Sequence, residues 1–172
     1  MAVYSTVLPD ERIISEVTIA QATNISLVVC GGCTNESLAF LHKLPIFTSA
    51  EGDMLGESMA NNRAIPYSAY ITAERIAEML RNEGYSVNIS MIPLAEELLC
   101  IQKGDHSTIL NCLEETELIL ALCCPAGAAG IRRQIKNIPI VTLMKPQGQL
   151  FYVYKDDLFT RQIVYDESAV IN

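Results

Sequence analysis

Two short apolar runs, Ile25-Ser26-Leu27-Val28-Val29 and Leu118-Ile119-Leu120-Ala121-Leu122-Cys123, constrain the fold of this chain more than any other feature. Each is nearly continuous rather than alternating, as expected of a strand buried on both faces of a parallel sheet. Gly31-Gly32 bounds the first, and Pro125, well suited to a first helical position, follows the second. Strands that alternate with helices imply right-handed crossovers and helices on both faces of the sheet. The expected fold class is α/β: a three-layer α/β/α sandwich around a mainly parallel, Rossmann-like sheet. With 172 residues, half of them hydrophobic, the chain suits one domain over residues 1–172 with a sizeable core.

The remaining segments fill in the alternation. Pro9-Asp10-Glu11-Arg12 reads as a helix start leading into Ile13, Ile14 and Val17. A helix is expected from about Asn35, with Leu38, Phe40 and Leu41 apolar. The clearest helix covers about 70–83, where Ala73, Ile76, Ala77 and Leu80 repeat at helical spacing and Gly84 offers a stop. A strand is expected over 87–92, a short turn or helix over 94–102 carrying Cys100, and a helix from Asp105 holding Ile109, Cys112 and Leu113. Pro125 opens a helix with Ile131 and Ile135 on its buried side, and strands are expected over 139–144 and 150–154. Residues 45–68, with Pro45, Gly52, Gly56, Asn61-Asn62 and Pro66, read as a long inserted loop, a kind of segment that is often functional.

Six cysteines carry the chemistry. Cys30-Gly31-Gly32-Cys33 closes the first apolar run, and a CxxC can share one metal, form one disulfide, or do neither. The two glycines let the backbone turn tightly enough for both sulfurs to face one point. Cys124 stands where a helix begins, and the helix dipole favours a thiolate there. Cys100 follows another expected strand. In an open α/β sheet the carboxyl ends of the strands meet at one edge, where ligands bind. Three remote segments therefore offer Cys30, Cys33, Cys100 and Cys124 to one place, as a zinc or iron–sulfur site requires. Cys123 points to the opposite side of its strand from Cys124 and reads as core, as does Cys112 on its apolar stripe.

Other residues narrow the function. A net charge of −8 argues against nucleic acid or an anionic membrane as partner. No apolar run approaches the roughly 20 residues of a membrane span. Met1-Ala2-Val3-Tyr4-Ser5 lacks the features of a signal peptide, so a cytoplasmic location is expected, where cysteines serve as ligands, reactive thiols or core. His42 and His106 have no partner at metal-ligand spacing. Glu51, Asp53 and Glu57 read as a solvated loop, and Arg132-Arg133 as a surface pair. Gly127-Ala128-Ala129-Gly130 only loosely matches a phosphate-binding turn, and the fuller GxGxxG pattern is absent.

Residues 78–87 (EMLRNEGYSV), Met91-Ile92-Pro93, Cys100, residues 118–127 (LILALCCPAG) and Ile138-Pro139-Ile140-Val141 together resemble a known family. It is the cysteine-containing C-terminal domain associated with methylenetetrahydrofolate reductases, also found as a separate small subunit. The CxxC at Cys30 and Cys33 is similar to the cysteine-rich turn at the family's start. The chain departs from the family in three places. A further cysteine after the CxxC is replaced by Ser37, Cys-Gly-Ala-Gly becomes Cys124-Pro125-Ala126-Gly127, and residues 45–66 look inserted. The resemblance implies a bound zinc ion or iron–sulfur cluster, [4Fe-4S] being one type. It implies Cys30, Cys33, Cys100 and Cys124 as ligands, and a flavin-dependent reductase as partner.

The leading expectation is a metal-binding accessory protein or subunit of one-carbon, folate-linked redox metabolism, docked on a reductase or assembled as a homo-oligomer. A second reading is a thiol–disulfide oxidoreductase with Cys30 attacking and Cys33 resolving. A third is a nucleotide- or small-anion-binding module at the helix start following Cys124.

Overall fold

The computed structural model describes residues 2–44, 47–48, 65–92, 100, 113–150, 153–156, 160–164 and 170–171. Their elements run β1 (Ala2–Val7), α1 (Asp10–Ala20), β2 (Asn24–Cys30), α2 (Cys33–His42), β3 (Phe47–Thr48), β4 (Ile65–Pro66), α3 (Tyr67–Asn82), β5 (Ser86–Ile92), β6 (Leu118–Leu122), α4 (Pro125–Gln134), β7 (Ile140–Thr142), β8 (Met144–Leu150), β9 (Val153–Asp156), β10 (Thr160–Val164) and β11 (Val170–Ile171). The chain is mixed α/β. Its centre is a four-stranded parallel sheet in the order β5-β2-β6-β7.

The two apolar runs become the two inner strands, β2 and β6, paired Ile25 to Leu118 through Val29 to Leu122. Side chains alternate across a strand, so each run feeds both faces of the sheet. Ile25, Leu27, Val29, Leu118, Leu120 and Leu122 are buried together with Ile13 and Val17 of α1, Leu38 of α2 and Ile76 and Leu80 of α3. Val28, Cys30, Ile119, Ala121 and Cys123 are buried on the other side with Ala128 and Ile131 of α4. Each fully buried Leu or Ile side chain here is worth about 1.5–3 kcal/mol of transfer free energy.

Several sequence expectations hold in detail. Pro9 stands just outside α1, and Pro125 occupies the start of α4. The periodic helix ends as its glycine suggested. Gly84 has φ +93°, its N–H donates to Arg81 O, and the Tyr85 N–H donates to Leu80 O. That reciprocal pair satisfies carbonyls that the end of α3 leaves open.

Other expectations are corrected. The parallel sheet is as expected, but among the described residues seven further strands form two antiparallel sheets that were not, β1-β8-β11 and β4-β3-β10-β9. These strands gave no periodic signal for physical reasons. Three of them have two residues each, and β8 is Met144-Lys145-Pro146-Gln147-Gly148-Gln149-Leu150, buried only at its ends. Pro146 lacks an amide, and the β1–β8 register slips between Tyr4 and Ser5, opposite this stretch. The strand expected over 139–144 ends at Thr142 and a new one begins at Met144, so it serves two sheets. The strand expected over 150–154 straddles the end of β8 and the start of β9. Helix α2 begins at Cys33 rather than Asn35, which places the second thiol of the CxxC on the helix itself. Helix α3 begins at Tyr67 rather than about Tyr70. The elements expected over 94–102 and 105–113 lie outside the described residues apart from Cys100 and Leu113, as does most of the loop at 45–68.

Candidate metal centre

Strands β2, β5 and β6 run the same way, so their carboxyl ends share one edge. Cys30 closes β2, Cys33 opens α2, Cys100 is an exposed turn residue in the chain beyond β5, and Cys123-Cys124 follows β6. Cys30, Cys33, Cys100, Cys123 and Cys124 are thiols, none in a disulfide. Cys112 lies outside the described residues.

The thiols feel one another. Burial pushes the Cys33 thiol up, and the negative charges of Glu36, Cys124 and Cys100 push the same way, while a backbone hydrogen bond from Val3 opposes them. Burial likewise drives Cys123 well up, reinforced by Cys30, Cys124 and Cys100 and opposed by Arg132. Cys124 and Cys100 thus act on both the Cys33 and the Cys123 thiol.

The CxxC itself divides. Val29 pairs with Leu122, so Cys30 and Cys123 come level on neighbouring strands, and both are buried against Ala128 and Ile131 of α4. Cys33 instead meets the Val3 amide of β1. One turn along α2, Ser37 accepts from the Ser5 N–H at 3.1 Å and donates to Val3 O at 3.0 Å. Ser37, which stands where the resembling family has a further cysteine, therefore ties α2 to β1. Among the described residues, no three His, Cys, Asp or Glu side chains meet closely enough to hold a metal ion.

Two helices begin at this edge. The N-cap positions of α2 and α4 are Gly32 and Cys124, and neither makes a side-chain cap. Amides in a first turn have no helical acceptor and carry the positive end of the helix dipole, which favours thiolates beside them. The donor set is chemically that of zinc or iron–sulfur, both of which take thiolate sulfur.

Cys123 is core, as strand alternation predicts: it is fully buried and packs in the same cluster as Cys30. The Val3 amide had no signal, because β1 was not legible. Gly127-Ala128-Ala129-Gly130 lies within α4 with Gly127, Ala128 and Gly130 buried, so it packs as small residues rather than forming a phosphate turn. Arg132 is engaged by Thr142 Oγ1 at 3.0 Å and Ile140 O at 3.3 Å. His42 is exposed at the end of α2, and His106, Glu51, Asp53 and Glu57 lie outside the described residues.

The amino edge of the same sheet is built differently. Glu117 accepts from the Thr23 N–H (2.6 Å), the Thr23 hydroxyl (2.9 Å) and the Asn24 N–H (3.0 Å), and these bonds hold its carboxyl below the usual range. Ser26 donates to Asn88 Oδ1 at 2.6 Å and lies 3.0 Å from the Thr116 hydroxyl. A polar cavity of about 130 Å³ opens here between Ser86, Asn88, Glu114 and Thr116.

No protein-family model, curated protein or solved structure matches this chain.

Proposed function

We propose that this chain is a metal-binding accessory protein in which Cys30, Cys33, Cys100 and Cys124 hold one zinc ion or one iron–sulfur cluster. What supports the reading is position: Cys30 ends β2, Cys33 opens α2 and Cys124 precedes α4, all at the shared carboxyl edge of the parallel sheet. Four thiolates would close the coordination of zinc and make it structural, whereas an iron–sulfur cluster would give the protein an electron to pass on. The chain's own contribution is the sulfur, the Val3 amide aimed at Cys33, the two uncapped helix starts, and burial that keeps water from Cys30 and Cys124.

The proposal extends to the whole molecule. A three-layer α/β/α arrangement of the central unit belongs to this proposal, supported by the packing of α1, α2 and α3 residues with one set of strand side chains and of α4 residues with the other. The acidic surface suits docking on a larger protein, a flavin-dependent reductase subunit of one-carbon metabolism by the resemblance drawn above, with self-assembly as the alternative. A cytoplasmic location belongs to the same proposal. Among the described residues no helix is long and apolar enough to cross a membrane.

The dithiol reading fares less well. Attack by Cys30 needs an accessible, acidified thiol. Cys30 is buried beside Cys123, and the more exposed Cys33 is pushed up rather than down.

Metal and acid-labile sulfide analysis of protein purified without oxygen tests the proposal. About one zinc per chain without colour is the expected result for a structural site, and iron with sulfide for a cluster. Protein that carries neither metal, and takes up neither on reconstitution, would overturn it.

A further inference from the structure

The parallel sheet has two outer strands, β5 and β7, and the helix before each one ends in the same contact. Arg81 stands in the last turn of α3, which leads into β5, and its Nη2 donates to Val87 O at 2.8 Å. Arg132 stands in the last turn of α4, which leads into β7, and its Nη2 donates to Ile140 O at 3.3 Å and to Thr142 Oγ1 at 3.0 Å. Val87 is the second residue of its strand and Ile140 the first of its own. Helix α1 leads instead into the inner strand β2, and its last turn holds no basic residue.

Both carbonyls belong to the open side of their strand. Successive residues of a strand turn their backbone groups to opposite sides within the sheet. The Ser86 N–H donates to Thr23 O, just ahead of β2, so Ser86 faces inward and Val87 outward. Around β7, Pro139 O accepts from the Ile119 N–H and the Leu143 N–H donates to Ala121 O, so positions 139 and 143 face β6 and Ile140 faces outward. Among the described residues no strand pairs with either outer side. Such a row of unpaired backbone groups is a template for a strand of another chain. A guanidinium on the first outward carbonyl occupies that acceptor, and an incoming strand has to displace or desolvate the charge. The open side of β1 is closed similarly by a neutral group, since Ser37 of α2 bonds both Val3 O and the Ser5 N–H.

We propose that Arg81 and Arg132 are strand guards, which keep β5 and β7 from adding a strand of a second copy of this chain. Each guard sits on the helix just before the strand it protects, and the helix before an inner strand carries none. The guards rest on backbone hydrogen bonds and do not depend on the metal reading. Any self-assembly of this protein therefore uses surfaces other than the outer sides of β5 and β7.

The test uses the full chain as wild type, Arg81→Met, Arg132→Met and Arg75→Met. Arg75 is the control, because it bonds the Asp10 carboxylate rather than a strand. Sedimentation velocity over a concentration series reads self-association, and hydrogen exchange of the associated species locates the contact. Arg81→Met and Arg132→Met should associate at a concentration about tenfold lower than wild type, the scale of one lost charge-assisted hydrogen bond. New protection should appear at the Val87 and Ile89 amides in the first variant and at Ile140 and Thr142 in the second. Arg75→Met should sediment as wild type does. Where a Met variant does not fold, Arg81→Gln or Arg132→Gln takes its place with the same expectation. Variants that associate no more readily than wild type overturn the proposal. So does equal association of Arg75→Met, or new protection that lies away from β5 and β7.

Discussion

The two edges of the parallel sheet are made from the same four strands, yet they are finished in opposite ways. At the amino edge the polar side chains bond within the chain: Glu117 gathers Thr23 and Asn24, and Ser26 joins Asn88 and Thr116. At the carboxyl edge two helices start without side-chain caps, burial pushes the Cys33 and Cys123 thiols up, and the Thr34 hydroxyl goes unmet. The polar groups of the amino edge are met within the chain and line a polar cavity, whereas the carboxyl edge carries the thiols and the unpartnered Thr34 hydroxyl.

The largest expected difference between the edges is in metal uptake. Cys33→Ser combined with Cys124→Ser should reduce metal from about one per chain to a trace, because structural zinc binding is worth about 10–16 kcal/mol and each lost ligand weakens it by orders of magnitude. Metal analysis beside thermal unfolding, with and without added zinc, checks this. Full occupancy in the double variant would break the comparison.

Ser26→Ala acts at the other edge. It should cost about 1 kcal/mol by removing the hydroxyl that joins Asn88 and Thr116, and appear as a lower urea midpoint at unchanged slope. Metal uptake should not change. If it falls, the edges are not independent.

A smaller effect is kinetic. In metal-free protein, alkylation of Cys33 by iodoacetamide should be slow at neutral pH and rise only above the ordinary thiol value of 9.0. Prior loading with zinc should suppress the reaction. Fast labelling of Cys33 at pH 7 would revive the dithiol reading.

The smallest effect concerns Glu117. Its folded pKa lies below the ordinary value of 4.5, so its contribution to stability is complete above that value and fades as pH falls through the lowered one. Glu117→Gln should flatten that acid limb, as read by unfolding midpoints between about pH 5 and 2. An unchanged slope would mean that the three hydrogen bonds persist without charge.

Much of the parallel core was legible because its residues obey one period at a time. The runs at Ile25–Val29 and Leu118–Leu122, the stripe Ala73-Ile76-Ala77-Leu80, Pro125 and Gly84 all state local rules that the tertiary structure leaves in force. The antiparallel sheets were not legible. In β8 the apolar residues stand only at the ends, and β3, β4 and β11 are shorter than any period. The edge position of Cys30, Cys33 and Cys124 follows from strand and helix ends, a topological argument that tolerates errors of two or three residues in helix boundaries. The unpartnered Thr34 hydroxyl was not legible, because satisfaction by neighbours is a property of packing rather than of spacing.

Leu143 lies between β7 and β8, fully buried. Its N–H donates to Ala121 O in the parallel sheet, and its carbonyl accepts from the Leu8 N–H just beyond β1, each at 2.9 Å. One peptide segment is thus stitched into two sheets by its two backbone groups. Neither sheet can open at this point without breaking a bond that belongs to the other. The amides of Leu8 and Leu143 should therefore exchange with solvent as one cooperative unit, and the amino-terminal strand should share the protection of the core rather than fray from it.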